Sequence, residues 1–188
     1  MAILDAWTSL YAFGIDAGVD TLTSWMRVVS LCAPRIRGGQ ALLIGETDPT
    51  LAQSLMLWNS TLLAQTELRE REQTALPPVF AAACVWGRRD AVKVTLERIG
   101  ALGGGDLSAI ETTEGMLPSV LGPVPIPQPR TIDSRELEGT ADRVKAVVRV
   151  PQSRRGELAL RLRSASARHV AAREPGELRF QLDPKERI

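Results

Sequence analysis

The residue types best suited to chemistry in this sequence are arginines. Arg154, Arg161 and Arg168 recur every seven residues, which puts them along one edge of a helix beside the apolar Leu158, Leu162 and Ala165. Arg155 adjoins the first of them, and Lys145 and Arg149 alternate on the segment before. Such a strand-plus-helix cluster can hold phosphates or carboxylates by charge. The charge distribution agrees: residues 1–129 carry 9 Lys and Arg against 13 Asp and Glu, whereas residues 130–188 carry 14 against 9. An anionic partner for the C-terminal part is one reading, and an ordinary solvated arginine-rich face is the other.

No catalytic constellation accompanies the arginines. Gly103-Gly104-Gly105-Asp106 lacks the preceding strand and following helix of a phosphate loop, and reads as a helix C-cap and turn. There is no GxxxxGK[ST] motif. His169, the single histidine, has no nucleophile pattern near it and is expected at a helix end. Cys32 and Cys84 sit in apolar surroundings and read as buried free thiols of a cytosolic protein, too few for a zinc site. Neither a metal nor a cofactor is expected. The longest apolar run, "VFAAACVW", is too short to span a bilayer, and "MAILDAWTSL" has no basic n-region, so the expected location is the cytoplasm.

The elements that must position these residues fall into two blocks. In the first, "MAILDAW" reads as a short buried strand. "DAGVDTLTSWMRVVSL" puts Val19, Leu22, Met26 and Val29 at helical spacing, and "QALLIG" is a second buried strand. Asp48 before Pro49 is the N-cap of one long helix, "TLAQSLMLWNSTLLAQTELREREQ". Strand, helix, strand, helix is α/β grammar, with parallel strands covered on both faces. Two strands do not complete such a sheet, so residues 1–75 read as a piece of a larger α/β domain.

Pro77-Pro78 marks the boundary to residues 76–188. There "VFAAACVW" (strand), "DAVKVTLERIGAL" (helix), "MLPSVLGP" (weaker strand), "RVKAVVRV" (strand), "SRRGELALRLRSASARHV" (helix) and "ELRFQLDP" (strand) follow in turn. The order β-α-β-β-α-β is the ferredoxin-like pattern. Proline cannot donate to a ladder or continue a helix. "GPVPIPQPR" over 122–130 is therefore expected to be a stiff extended connection from the second strand into the third.

"SVLGPVPIP", "KAVVRVPQSRRGELALRLRSA" and "LRFQLDP" together resemble the C-terminal end of the primosomal protein N′ (PriA) family of replication-restart proteins. That family shows a "VLGPVPAP" segment, a Pro-x-x-Arg start to a helix and a "VDVDP"-like closing strand. Upstream, "AILDAWTSL" is similar to the family's "LLDAD…L" strand, "VDTLTSWM" to a helix of actinobacterial members, and "ELREREQTALPPVF" to its "ELxERxxxGYPPF" junction. The departures lie in the catalytic motifs. Where the family's "QxxGRxGR" belongs, this chain reads "RVVSLCAP", with Leu31 and Pro34 in place of two arginines that stabilise charge on the γ-phosphate. The phosphate loop, the acidic metal motif and the eight-cysteine zinc region would lie upstream of Met1.

The resemblance implies a remnant of a RecA-like second helicase lobe over 1–75. Over 76–188 it implies an S10-like, ferredoxin-like domain that contacts branched or forked DNA and other primosome proteins. It also implies that Arg154 or Arg155 meets the acidic C-terminal tail of single-stranded-DNA-binding protein. No catalysis is expected of these residues. Two alternatives stand beside this reading. One is an ATP-dependent 3′–5′ helicase, should the sequence continue upstream; the other is an unrelated ferredoxin-like module that binds RNA or protein.

Overall fold

The computed structural model describes residues 1–11, 14–126 and 142–184, and the chain divides into two compact units, Met1–Glu70 and Arg71–Ile188. The described residues form a mixed α/β structure with three sheets.

In the first unit, β1 (Ala2–Ile3) pairs in parallel with β2 (Leu42–Leu43), Ala2 opposite Leu42. Between them lie a 3-10 turn (Ala6–Tyr11) and α1 (Ala17–Val29). Ala6, Leu22, Trp25, Leu51 and Leu63 form the core. Trp25, which the helical spacing did not mark, is buried on α1, and Val19, which it did mark, is exposed. The strands are not covered on both faces: Leu42 is 58% exposed, and Met56, Leu57, Trp58 and Ile36 also face solvent.

Asp48 caps α2 (Pro49–Met56) as its sequence context predicts, its Oδ1 accepting from the amides of Thr50 and Leu51 at 2.8 and 3.0 Å. The single long helix expected beyond it is two. Trp58 adopts a left-handed φ of 52°, and Asn59 Oδ1 accepts from the Thr61 amide, starting α3 (Ser60–Gln73) afresh. Cys84 is buried as expected, but Cys32 lies near the surface with its Sγ 3.8 Å from the Gln40 carbonyl oxygen.

The second unit contains β3 (Phe80–Arg88), α4 (Arg89–Arg98), β4 (Ala109–Thr112), β5 (Gly115–Pro118), β6 (Val120–Pro125), β7 (Arg143–Pro151), α5 (Arg155–Ala171) and β8 (Leu178–Leu182). Four strands form one antiparallel sheet in the order β6-β7-β3-β8. Ala81, Ala83 and Val85 on β3 and Val144, Ala146, Val148 and Val150 on β7 pack against Val92, Leu96, Leu158 and Leu162 of the two helices. These alternate positions share one sheet face because side chains reverse at every residue.

Two local expectations change here. "MLPSVLGP" is not one strand: β4 and β5 make a separate hairpin, and β6 begins at Val120. Nor does β6 stop at "VLGP"; it runs to Pro125 along the β7 edge, with a bulge between Leu121 and Val124. An edge strand tolerates Pro123 and Pro125 because the missing amides cost no ladder bond on the open side. The remainder of the proline-rich connection, 127–130, lies outside the described residues.

Candidate anion-binding interface

Pro151 ends β7, a 3-10 turn covers Gln152–Arg154, and α5 starts at Arg155 with Glu157 in its first turn, where a carboxylate suits the positive helix end. Arg154 reaches both ways from this corner. Its Nε bonds Glu157 Oε2 at 2.7 Å, and its Nη1 and Nη2 bond the Asp106 main-chain oxygen and Oδ2 at 2.8 and 2.6 Å. Two turns on, Arg161 donates to both Asp106 carboxylate oxygens at 2.7 Å, to the Ile99 carbonyl oxygen at 2.8 Å, and to Glu157. Two guanidinium groups thus enclose two carboxylates. Hydrogen bonds from Arg161 and then Arg154 hold the Asp106 carboxyl far below the usual carboxylate range, and the Arg154 bond lowers that of Glu157.

The glycine loop serves this network. Gly100, not the 103–105 run, follows the last turn of α4, with φ of 77°. A side chain there would stand 2.7 Å from Asp106 Oδ1 and 3.1 Å from Arg161 Nη1, so glycine lets the Asp106–Arg161 contact close.

The remaining arginines of the row differ from these two. The Arg155 side chain is 56% exposed and, among the described residues, makes one ion pair, Nε to Asp183 Oδ2 at 2.7 Å. Arg168 is exposed, and with Arg98, Arg161, Ser164 and Ala165 it lines a notch of about 230 Å³. Arg98 in that notch is clasped by Glu174, which raises the Arg98 pKa and lowers that of Glu174. Glu174 also bonds the buried His169 ring at Nδ1, 3.1 Å, while Nε2 lies 2.9 Å from the Gly176 carbonyl oxygen.

The two strand cations do not join the helix row. The helices pack on the face of Val144, Ala146, Val148 and Val150, so Lys145 and Arg149 point to the opposite face. Arg149 is only 4% exposed. Its Nη1 donates to the Thr74 and Ala75 carbonyl oxygens and its Nη2 to that of Pro118 at 2.7 Å, and burial pushes its pKa down. Arg149 thus pins the β4–β5 hairpin and the segment before β3 to the sheet. Lys145 is half-buried on the same face.

The seven-residue spacing therefore finds a real row along α5, but not its acidic counterparts. Asp106 and Glu157 neutralise Arg154 and Arg161, Asp183 pairs with Arg155, and Asp106 comes from a loop that no local period marks. What faces solvent with cationic donors is Arg155 at one end and Arg168 at the other. Such groups can take a phosphate or a carboxylate by charge-assisted bonds. Among the described residues, no three His, Cys, Asp or Glu side chains are grouped to hold a metal ion.

Residues 72–185 match the family described as "Primosomal protein N C-terminal domain". The chain is 31% identical over 189 residues to the "Probable replication restart protein PriA" of Mycobacterium leprae, an alignment covering 97% of this chain and 26% of that protein. It is 29% identical over 186 residues to the protein of the same description from Mycobacterium tuberculosis H37Rv, covering 97% of this chain and 27% of the relative. The chain thus spans about a quarter of the length of the curated relatives it matches.

Proposed function

The chain belongs to the primosomal protein N (PriA) C-terminal domain family, and from that premise we propose that it binds branched DNA and primosome partners in replication restart, without catalysing a reaction itself. On this reading residues 76–188 are the binding domain. Their sheet order β6-β7-β3-β8, with α4 and α5 on one face, supports a ferredoxin-like, S10-like assignment. Residues 1–75 are read as the remnant of a RecA-like lobe, supported by the parallel β1–β2 pair and the helix between. Its place of action is the cytoplasm; among the described residues no helix is long and apolar enough to cross a membrane.

The observation that carries the proposal is the arginine row on α5, which ends in two solvent-facing members, Arg155 and Arg168. Between Arg154 and Arg155, the second is the better partner for the acidic tail of single-stranded-DNA-binding protein. Arg154 spends its donors on Asp106 and Glu157, whereas Arg155, among the described residues, holds Asp183 alone and stays mostly exposed. A tail carboxylate has to displace one bond there, not four.

Fluorescence anisotropy with a labelled fork, and separately with a labelled acidic peptide, tests this. Replacing Arg155 and Arg168 together by Ala should weaken binding roughly tenfold, about 1.4 kcal/mol, and flatten its salt dependence. Replacing the exposed Arg88 and Arg89 should matter much less. Equal small losses for both pairs, with no salt dependence, would return the row to a solvated surface.

A further inference from the structure

A groove in the first unit joins an open strand edge, apolar walls and arginines without acids. The amides of Leu42 and Ile44 donate to the Met1 and Ile3 carbonyl oxygens. Backbone groups reverse direction at each residue of a strand. Those of Leu43 therefore face away from β1, along an edge that no further strand covers among the described residues. Leu43 also lines a cavity of about 840 Å³ whose walls include Ile3, Val29, Leu55, Met56 and Trp58. Met56 is 83% exposed and Trp58 52%. Large apolar side chains gathered and exposed in this way mark an interaction site, whereas single ones do not.

The charges around the groove have one sign. A 3-10 turn (Arg35–Arg37) precedes β2, and Arg35 is the charged residue of the cavity lining. Arg35 and Arg37 are both exposed, and among the described residues neither meets a carboxylate. Between Asp20 and Glu46 the chain carries Arg27, Arg35 and Arg37 and no acid. Glu46 and Asp48, beyond β2, do not line the cavity, and Asp48 holds the start of α2.

We propose that this groove binds an extended acidic segment of a partner protein. The segment adds a strand along the Leu43 edge, sets apolar side chains against Leu55, Met56 and Trp58, and brings carboxylates to Arg35 and Arg37. In strand addition, main-chain bonds supply affinity and pockets for alternate side chains supply specificity. Charge complementarity selects the acidic partner. A wholly apolar segment would leave the arginines unanswered, and a nucleic-acid strand would leave the strand edge and the aliphatic walls unused. The groove lies within Met1–Glu70 and does not rest on the arginine row of α5.

The test uses the full chain and a short labelled peptide alternating isoleucine and aspartate, read by anisotropy, with hydrogen exchange on the complex. Binding should slow exchange at the Leu43 amide and leave β3 unchanged. Arg35→Glu, at an exposed position, should weaken binding about tenfold by like-charge repulsion and reduce its salt dependence. Met56→Asp, also exposed, should weaken it by about as much, because an unpaired carboxylate would be pressed against apolar side chains. Of two peptides N-methylated at opposite alternate residues, one should lose binding and the other keep it, because only alternate amides face β2. Failure of the peptide to bind, unchanged affinity in both variants, or equal binding of the two methylated forms would overturn the site. So would tighter binding of an isoleucine–serine peptide, or displacement by oligothymidine. A dimer that Met56→Asp dissolves would give the groove to a second copy of this chain and overturn the proposal as well. Loss of the peptide only when Arg155 and Arg168 are replaced would assign it to α5. Loss of fork binding with peptide binding intact would overturn the α5 proposal alone.

Discussion

Arg154 and Asp106 are separated by 48 residues, yet they meet in two hydrogen bonds, one to the aspartate main-chain oxygen at 2.8 Å and one to its carboxylate at 2.6 Å. The pair ties the loop after α4 to the corner where β7 turns into α5. Glu157 and Arg161 complete the cluster from the first two turns of the helix. The arginine row is therefore part of how this unit holds together, as well as a surface it presents.

Acid should undo that cluster. The carboxyls of Asp106, Glu157 and Glu174 all lie below their ordinary values because arginine hydrogen bonds favour the ionised forms. An unfolded chain binds those protons first, so the stabilisation is complete above the ordinary carboxylate pKa near 4 and is lost as pH falls through the depressed values. The thermal midpoint should stay level from neutral pH down to about pH 5 and fall below about pH 4. Asp106→Asn should start from a lower midpoint and decline less steeply. Superimposable pH profiles for the two proteins would contradict this.

Arg149 should matter for stability rather than binding. Replacing it by Ala leaves the carbonyl oxygens of Ala75 and Pro118 without its guanidinium and opens a gap under the β4–β5 hairpin. Stranded buried polar groups cost about 1–3 kcal/mol each, so a loss of roughly 2–4 kcal/mol is expected in urea denaturation. Arg155→Ala, at a mostly exposed position, should stay within about 0.5 kcal/mol of the unaltered chain. Similar midpoints for both variants would count against the structural role of Arg149.

The two units should differ in protection. Met1–Glu70 has a small core and a two-residue parallel strand pair with open edges, and it exposes Met56, Leu57, Trp58 and Ile36. The second unit has a four-stranded sheet backed by two helices. Hydrogen exchange should be slow for amides of β3 and β7 and markedly faster for those of α1 and α2. Comparable protection in both sets would refute the difference.

No DNA-stimulated ATP hydrolysis is expected from this chain. The resemblance read from the sequence implies that Leu31 and Pro34 stand where two arginines would belong, and Leu31 lies 78% exposed with an apolar side chain that offers a phosphate nothing. Turnover above a no-protein blank, with forked DNA present, would show otherwise.

Local chemistry was readable from the sequence because it acts over a few residues. The Asp48-Pro49 cap, the arginine row on α5 and the strands read from "VFAAACVW" and "RVKAVVRV" all follow from short-range spacing and residue type. The break at Leu57–Asn59 escaped notice because the apolar period continues across it, and only the left-handed Trp58 interrupts the backbone. Which contacts each cation makes was decided by the tertiary structure. Period-two alternation separates Lys145 and Arg149 from Val144 and Val148, but it does not say which face the helices will cover. Likewise Asp106 reaches Arg154 and Arg161, and Pro118 reaches Arg149, only after loops close over dozens of residues. A charge-assisted bond is short-ranged in space and indifferent to separation along the chain. Sequence therefore placed the arginines in a row, and packing decided which of them remained open to solvent.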